Sequence, residues 1–184
     1  MAKQFPSLDA AHQSFIKEQH MFFCGSAASD GRVNISPKGM DSLRVMDANR
    51  IVWMNITGSG NETAGHLLQT PRMTLMWCSF TKRPMILRTY GTARTLHRDD
   101  EGWEDLAPLF PNHRSARQIY DLTIDLVQTS CGYAVPFMDY AGERDTMQKW
   151  VDQKSDDDIR TYWVEKNTRT IDDKPTGVPD MTVE

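Results

Sequence analysis

Short apolar runs set off by turn residues fill the middle of the chain, while apolar residues at helical spacing occur towards its ends. Leu8, Ala11, Phe15 and Ile16 fall on one helical face, and Ser7 can cap a helix running from Leu8 to Gln19. The runs Met21 to Ala27 and Arg32 to Ser36 flank Asp30-Gly31, a hairpin signal. Pro37-Lys38-Gly39 ends the second strand. Leu43 to Met46 and Ile51 to Ile56 follow, parted by a turn at Asp47 to Asn49. Ala64 to Gln69 reads as a short helix, stopped by Thr70-Pro71-Arg72. Met73 to Phe80 and Met85 to Leu96 are strands joined by Thr81-Lys82-Arg83-Pro84. Trp103 to Leu109 and Ala116 to Tyr120 read as helical pieces, Thr123 to Cys131 as a strand and Gly142 to Gln153 as a helix. From Asn167 the chain turns polar, which predicts an extended or disordered arm over 167–184 beyond a single domain at 1–166. Strands linked by hairpin-length connections, with helices at the ends and one short crossover, predict a mainly β fold. An antiparallel sheet or barrel with flanking helices suits this order better than alternating βαβ units.

Composition narrows the function classes. In 184 residues, 39% are hydrophobic and 25% charged, as in a soluble globular domain. A net charge of −4 lacks the basic footprint of a nucleic-acid binder. The longest apolar runs are too short to span a bilayer, so no membrane partner is expected. Met1 to Pro6 carries no signal-peptide core, and three widely spaced cysteines suit a reducing compartment. The expected location is therefore the cytoplasm. Eleven methionines and five tryptophans read as core filling. Five scattered histidines form no HxxxH or HExxH and no cysteine pair forms CxxC, so no metal site is expected. There is no GxSxG elbow either. The acidic runs Asp99 to Glu101 and Asp156 to Asp158 read as helix caps or solvated faces.

Three segments carry candidate chemistry. Thr57-Gly58-Ser59-Gly60-Asn61-Glu62-Thr63 lies between a strand and a helix start, where free amides and the helix dipole suit an anion such as phosphate. The same residues spell a capping box, with Ser59 capping and Glu62 reaching back, which needs no ligand. In Val33 to Gly39, Asn34 and Ser36 alternate along a strand and Lys38 follows; they could hydrogen-bond a flat polar ring, or form a surface turn with a solvated lysine. In Ser130 to Pro136, Cys131 could be a nucleophile only with a base beside it; a buried structural thiol is the plainer reading. Gly132 and Tyr133 suggest a close backbone approach under an aromatic lid.

Taken in order, these segments resemble the pyridoxamine 5′-phosphate oxidase-like, FMN-binding split-barrel proteins. The resemblance covers roughly Phe15 to Tyr140. It rests on Asn-Ile-Ser-Pro-Lys-Gly, Ile-Val-Trp-Met-Asn, Gly-Ser-Gly-Asn-Glu-Thr, a short helix into Thr-Pro-Arg-Met-Thr-Leu, and Arg-Pro-Met-Ile-Leu-Arg-Thr-Tyr-Gly-Thr-Ala-Arg. It implies a homodimer of six-stranded antiparallel split β-barrels with FMN in clefts between subunits. Asn34, Ile35, Ser36, Pro37 and Lys38 would lie along the flavin ring. Met54, Asn55, Ser59, Gly60, Asn61 and Thr63 would hold the ribityl chain and phosphate. Arg88 would add charge, and Cys131, Gly132 and Tyr133 would come from the second subunit. The implied activity is FMN-dependent oxidation or reduction with a small-molecule electron donor or acceptor, with no catalytic side chain assigned. Other relatives imply a flavin carrier or sensor, or a deazaflavin or haem protein, the last with His20 or His66 as axial ligand. Two features depart from the family: the phosphate bend has Asn61-Glu62-Thr63 where many relatives carry Arg or Lys, and the C-terminal arginine-rich substrate motif of true pyridoxamine phosphate oxidases is missing. Vitamin B6 oxidation is therefore not expected.

Overall fold

The computed structural model describes residues 2–111 and 113–178. Its strands are β1 (Lys3–Phe5), β2 (Phe22–Ser26), β3 (Asn34–Lys38), β4 (Leu43–Asp47), β5 (Arg50–Ile56), β6 (Arg72–Cys78), β7 (Met85–His97) and β8 (Ala116–Cys131). The helices are α1 (Ala10–Glu18), α2 (Glu62–Leu67), α3 (Trp103–Leu106), α4 (Thr146–Asp152) and α5 (Asp156–Asn167). All strand pairs are antiparallel, in the order β3-β2-β6-β7-β8-β5-β4, with β1 added along β8. The mainly β fold with flanking helices is as expected, but the sheet has eight strands rather than six and does not close. Its two edges, β3 and β4, are neighbours in sequence. They are joined through Met40 and Asp41, whose φ angles are 63° and 52°, yet they do not pair. The barrel is split at this seam.

The side chains explain the departures from the expected elements. Strand β3 runs on through Pro37, which lacks an N–H; as an edge strand it needs no ladder bond on that side. Ala116 to Tyr120 is strand, not helix, because β8 is paired on both sides, with β5 and with β7. Polar Arg117, Gln118 and Asp121 hide its apolar face in the sequence. Helix α1 is capped by Asp9 rather than Ser7: its carboxylate accepts from His12 N–H at 2.8 Å. Helix α4 is shorter than expected, and α5 was not anticipated at all. Its first turn is the acidic run, and Ser155 and Asp158 form its capping box. Trp53, Trp77, Tyr120, Phe15 and Leu75 are fully enclosed at the centre, where the Trp53 and Tyr120 rings stack at 4.5 Å.

Candidate functional site

Lys38 ends β3 beside the end of β5. Its ammonium donates to Asn55 Oδ1 at 3.1 Å and stands 5.3 Å from the centre of the Trp53 ring. Burial pushes the Lys38 amine below its ordinary pKa, against the pull of the Cys24 thiol. Asn55 passes the contact inward, donating to Gln118 Oε1 at 3.1 Å. The same oxygen accepts from Arg117 Nε at 3.1 Å and Tyr120 OH at 3.3 Å. A polar chain therefore runs from the edge strand into the core. It starts at a cleft of ≈ 710 Å³ walled by Pro37, Lys38, Met40, the Ile56–Ser59 stretch, Tyr140, Trp150 and Tyr162. Its rim is aromatic: His20 stacks on Tyr140 at 3.6 Å and 7°, and Trp150 meets Tyr162 edge to face.

The bend is held from behind by α5. Trp163 Nε1 donates to Thr57 Oγ1 at 2.6 Å, and that hydroxyl donates to Ser115 O. Asn167 Nδ2 and Arg117 both reach Gly58 O, at 3.0 and 3.4 Å, and Arg117 also reaches Gly60 O at 3.1 Å. With those carbonyls turned inward, Ser59 and Gly60 are left at the surface. The capping box does not form. Asn61 stands at the N-cap without a side-chain bond to the helix and donates instead to Asn167 O at 3.0 Å. Glu62 accepts from Ile171 N–H at 3.1 Å, because the polar stretch beyond Asn167 folds back over α2. Through Val178 that stretch is therefore packed: Asn167, Thr170 and Thr176 are buried. The remainder of the expected arm, 179–184, lies outside the described residues.

The expected residues divide into groups. Pro37, Lys38 and Ser59 line the cleft, with Asn55 directly behind Lys38. Asn34 and Thr63 meet inside, Asn34 Nδ2 donating to Thr63 Oγ1 at 3.2 Å while Ser36 donates to Asn34. Asn61 and Thr63 are buried in protein contacts, and Met54 packs with Leu96, Trp103 and Phe110. Ile35 and Arg88 instead line a separate hollow of ≈ 540 Å³ that shares no lining residue with the cleft. Arg88 donates to Ser130 Oγ at 3.2 Å. Cys131 ends β8, Gly132 and Tyr133 follow it, and none of the three lines the cleft of its own chain. Cys131 and Tyr133 are exposed, so Cys131 is not the buried thiol expected. His66 is buried with Nδ1 at 3.0 Å from Ser26 Oγ. Arg117, Gln118, Trp163 and Asn167 escaped the sequence reading. The only sequence signal for the first two is alternation across Ala116 to Leu122, blurred by polar residues on both faces.

The sequence model of the family described as pyridoxamine 5′-phosphate oxidase matches residues 8–131. The chain is 33% identical over 147 residues to the pyridoxamine 5′-phosphate oxidase family protein ustO of Aspergillus flavus, a match covering 77% of this chain. It spans only 59% of that relative's length. A HupZ variant from Group A Streptococcus shares the fold at a TM-score of 0.54 and 15% identity, over 66% of this chain and 98% of its own. A candidate pyridoxamine 5′-phosphate oxidase from Lactobacillus delbrueckii also gives 0.54, at 18% identity over 67% of this chain and 94% of its own.

Proposed function

Because the chain belongs to the pyridoxamine 5′-phosphate oxidase family, we propose that it binds FMN in the Lys38 cleft and acts as a flavin-dependent oxidoreductase. The observation that carries this reading is that Lys38, held from behind by Asn55, and the Thr57–Ser59 part of the bend line one aromatic-rimmed cleft. The cleft falls in the ordinary size range of small-molecule sites. Among the described residues Lys38 hydrogen-bonds a neutral amide rather than a carboxylate, so its charge is available to an electron-accepting ring. Ser59 and the exposed backbone at Gly60 would receive the phosphate, and Asn55 would fix the lysine. Bound flavin supplies the electron or hydride transfer; the protein positions the ring, excludes water and tunes its potential through Lys38.

The cleft is completed, in this reading, by a second copy of the chain. Val33, Ile35, Tyr133, Phe137 and Met138 are exposed apolar side chains that a two-fold interface would cover. Arg88 and Cys131 to Tyr133 would then reach the partner's cleft. A monomer by light scattering at micromolar concentration would remove the shared-site part of the proposal.

Purified protein is expected to be yellow and to release one FMN per chain on acid treatment. Lys38→Met should weaken FMN by about tenfold or more, as for loss of a charged hydrogen bond. Colourless protein that takes up no added FMN would refute the assignment. Steady-state oxidation of NADH and NADPH separates an oxidoreductase from a flavin carrier.

A further inference from the structure

We propose that a second, smaller pocket behind the bend binds a phosphate group, free or esterified, between Arg98, Arg117 and Arg160. The pocket, ≈ 290 Å³, is lined by these arginines with His97, Asp99, Trp163, Val164 and Val178. It shares no lining residue with the flavin cleft; Tyr162 faces the cleft and Trp163 the pocket, so α5 stands between them.

The charge balance points to an anion. Arg117 is 3% exposed, and its guanidinium is met by Gln118 Oε1, Gly58 O and Gly60 O. Arg98 donates to Ala116 O at 2.7 Å and Arg114 O at 2.9 Å. Its guanidinium carbon stands 5.4 Å from the Trp163 ring centre. Neutral oxygens and an aromatic face orient both guanidinium groups without neutralising them. Arg160 pairs loosely with Asp157 at 3.6 Å and is largely exposed. Asp99 is the lone carboxylate of the lining among the described residues, against three cations. Burial pushes the Arg117 guanidinium down to about 10, and burial with the neighbouring Arg160 also lowers Arg98, against the pull of Asp156 and Asp99. Preset, unneutralised guanidinium groups suit the tetrahedral oxygens of a phosphate. The space is small for a nucleotide.

Calorimetric titration with inorganic phosphate, at ionic strength matched with chloride, tests the site. The whole protein should show saturable binding at one site per chain. Arg160→Gln, on an exposed helix face, should weaken phosphate about tenfold and leave FMN affinity unchanged. Glycerol phosphate serves as a second probe: binding of both species identifies an ester-tolerant site, and binding of inorganic phosphate alone identifies a free-ion site. Absence of saturable binding by the wild-type protein, or equal affinity in Arg160→Gln, overturns the proposal. So does full displacement of phosphate by FMN, which would place the ion in the cofactor cleft. Phosphate binding in protein that takes up no FMN would leave this site standing and the flavin reading refuted.

Discussion

Asp121 shows how one carboxylate shapes the acid behaviour of the fold. It sits 8% exposed on β8 and accepts from Arg50 at 2.9 and 3.0 Å and from Arg94 at 3.1 and 3.2 Å. Burial alone would raise its pKa, but the two arginines outweigh burial and hold it below the ordinary carboxylate value. A depressed folded-state pKa gives stability that is fully present above the unfolded value, about 3.9, and is lost as pH falls through the folded one. Asp121→Asn should lower stability by about 2 kcal/mol at pH 7, measured by urea unfolding, and flatten the decline below pH 4. An acid slope unchanged from wild type would contradict this. Glu62 carries a second lesson. Its spacing from Ser59 implies a capping box, yet its carboxylate anchors the Ile171 amide. Sequence spacing makes a local partner look sufficient; the competing amide comes from 109 residues away, where no window along the chain can find it. Glu62→Lys should therefore loosen the stretch after Asn167, seen as several-fold faster amide exchange at Ile171. Unchanged exchange would leave Glu62 without this tethering role.

At the level of elements, β8 organises the sheet by pairing with β7 along most of its length, with β5 at one end and β1 at the other. Where it bulges against β7, Gly91 lets the backbones touch: a Cβ there would lie 1.9 Å from Thr123 O. Gly91→Ala is expected to cost more than about 3 kcal/mol or prevent folding, read as a loss of soluble, cooperatively melting protein. Strand β5 was legible because Ile51 to Ile56 is apolar and β-rich; the first half of β8 was not, because its polar side chains are satisfied by distant partners. The cleft residues divide in the same way. Lys38 and Asn55 sit at strand ends that the sequence marks, whereas Arg117 and Trp163 matter through tertiary contacts alone. Thr57→Val should leave the Trp163 N–H unpaired and cost about 1–2 kcal/mol in urea unfolding, with a shift in tryptophan fluorescence. Unaltered stability would mean that the indole finds another acceptor.

For the whole molecule, the sheet left open at the β3–β4 seam carries two separate concavities. One is the Lys38 cleft and the other the hollow near Arg88. The bend that divides the cleft from the arginine pocket is fixed from far along the chain: Trp163, Asn167 and Ile171 lie 106 to 109 residues after the groups they hold. That separation sets a timetable during synthesis. The sheet can begin to assemble once β8 has left the ribosome, but the bend must wait for α5 and the turn after it. Until then, a glycine-rich segment stays loose on an otherwise folding domain and open to proteases. Released chains truncated after residue 150, which keep β8 but lack α5, should be cut near the bend, whereas the 184-residue chain resists. During synthesis, the Thr57–Thr63 bend is thus among the last parts of the described fold to mature.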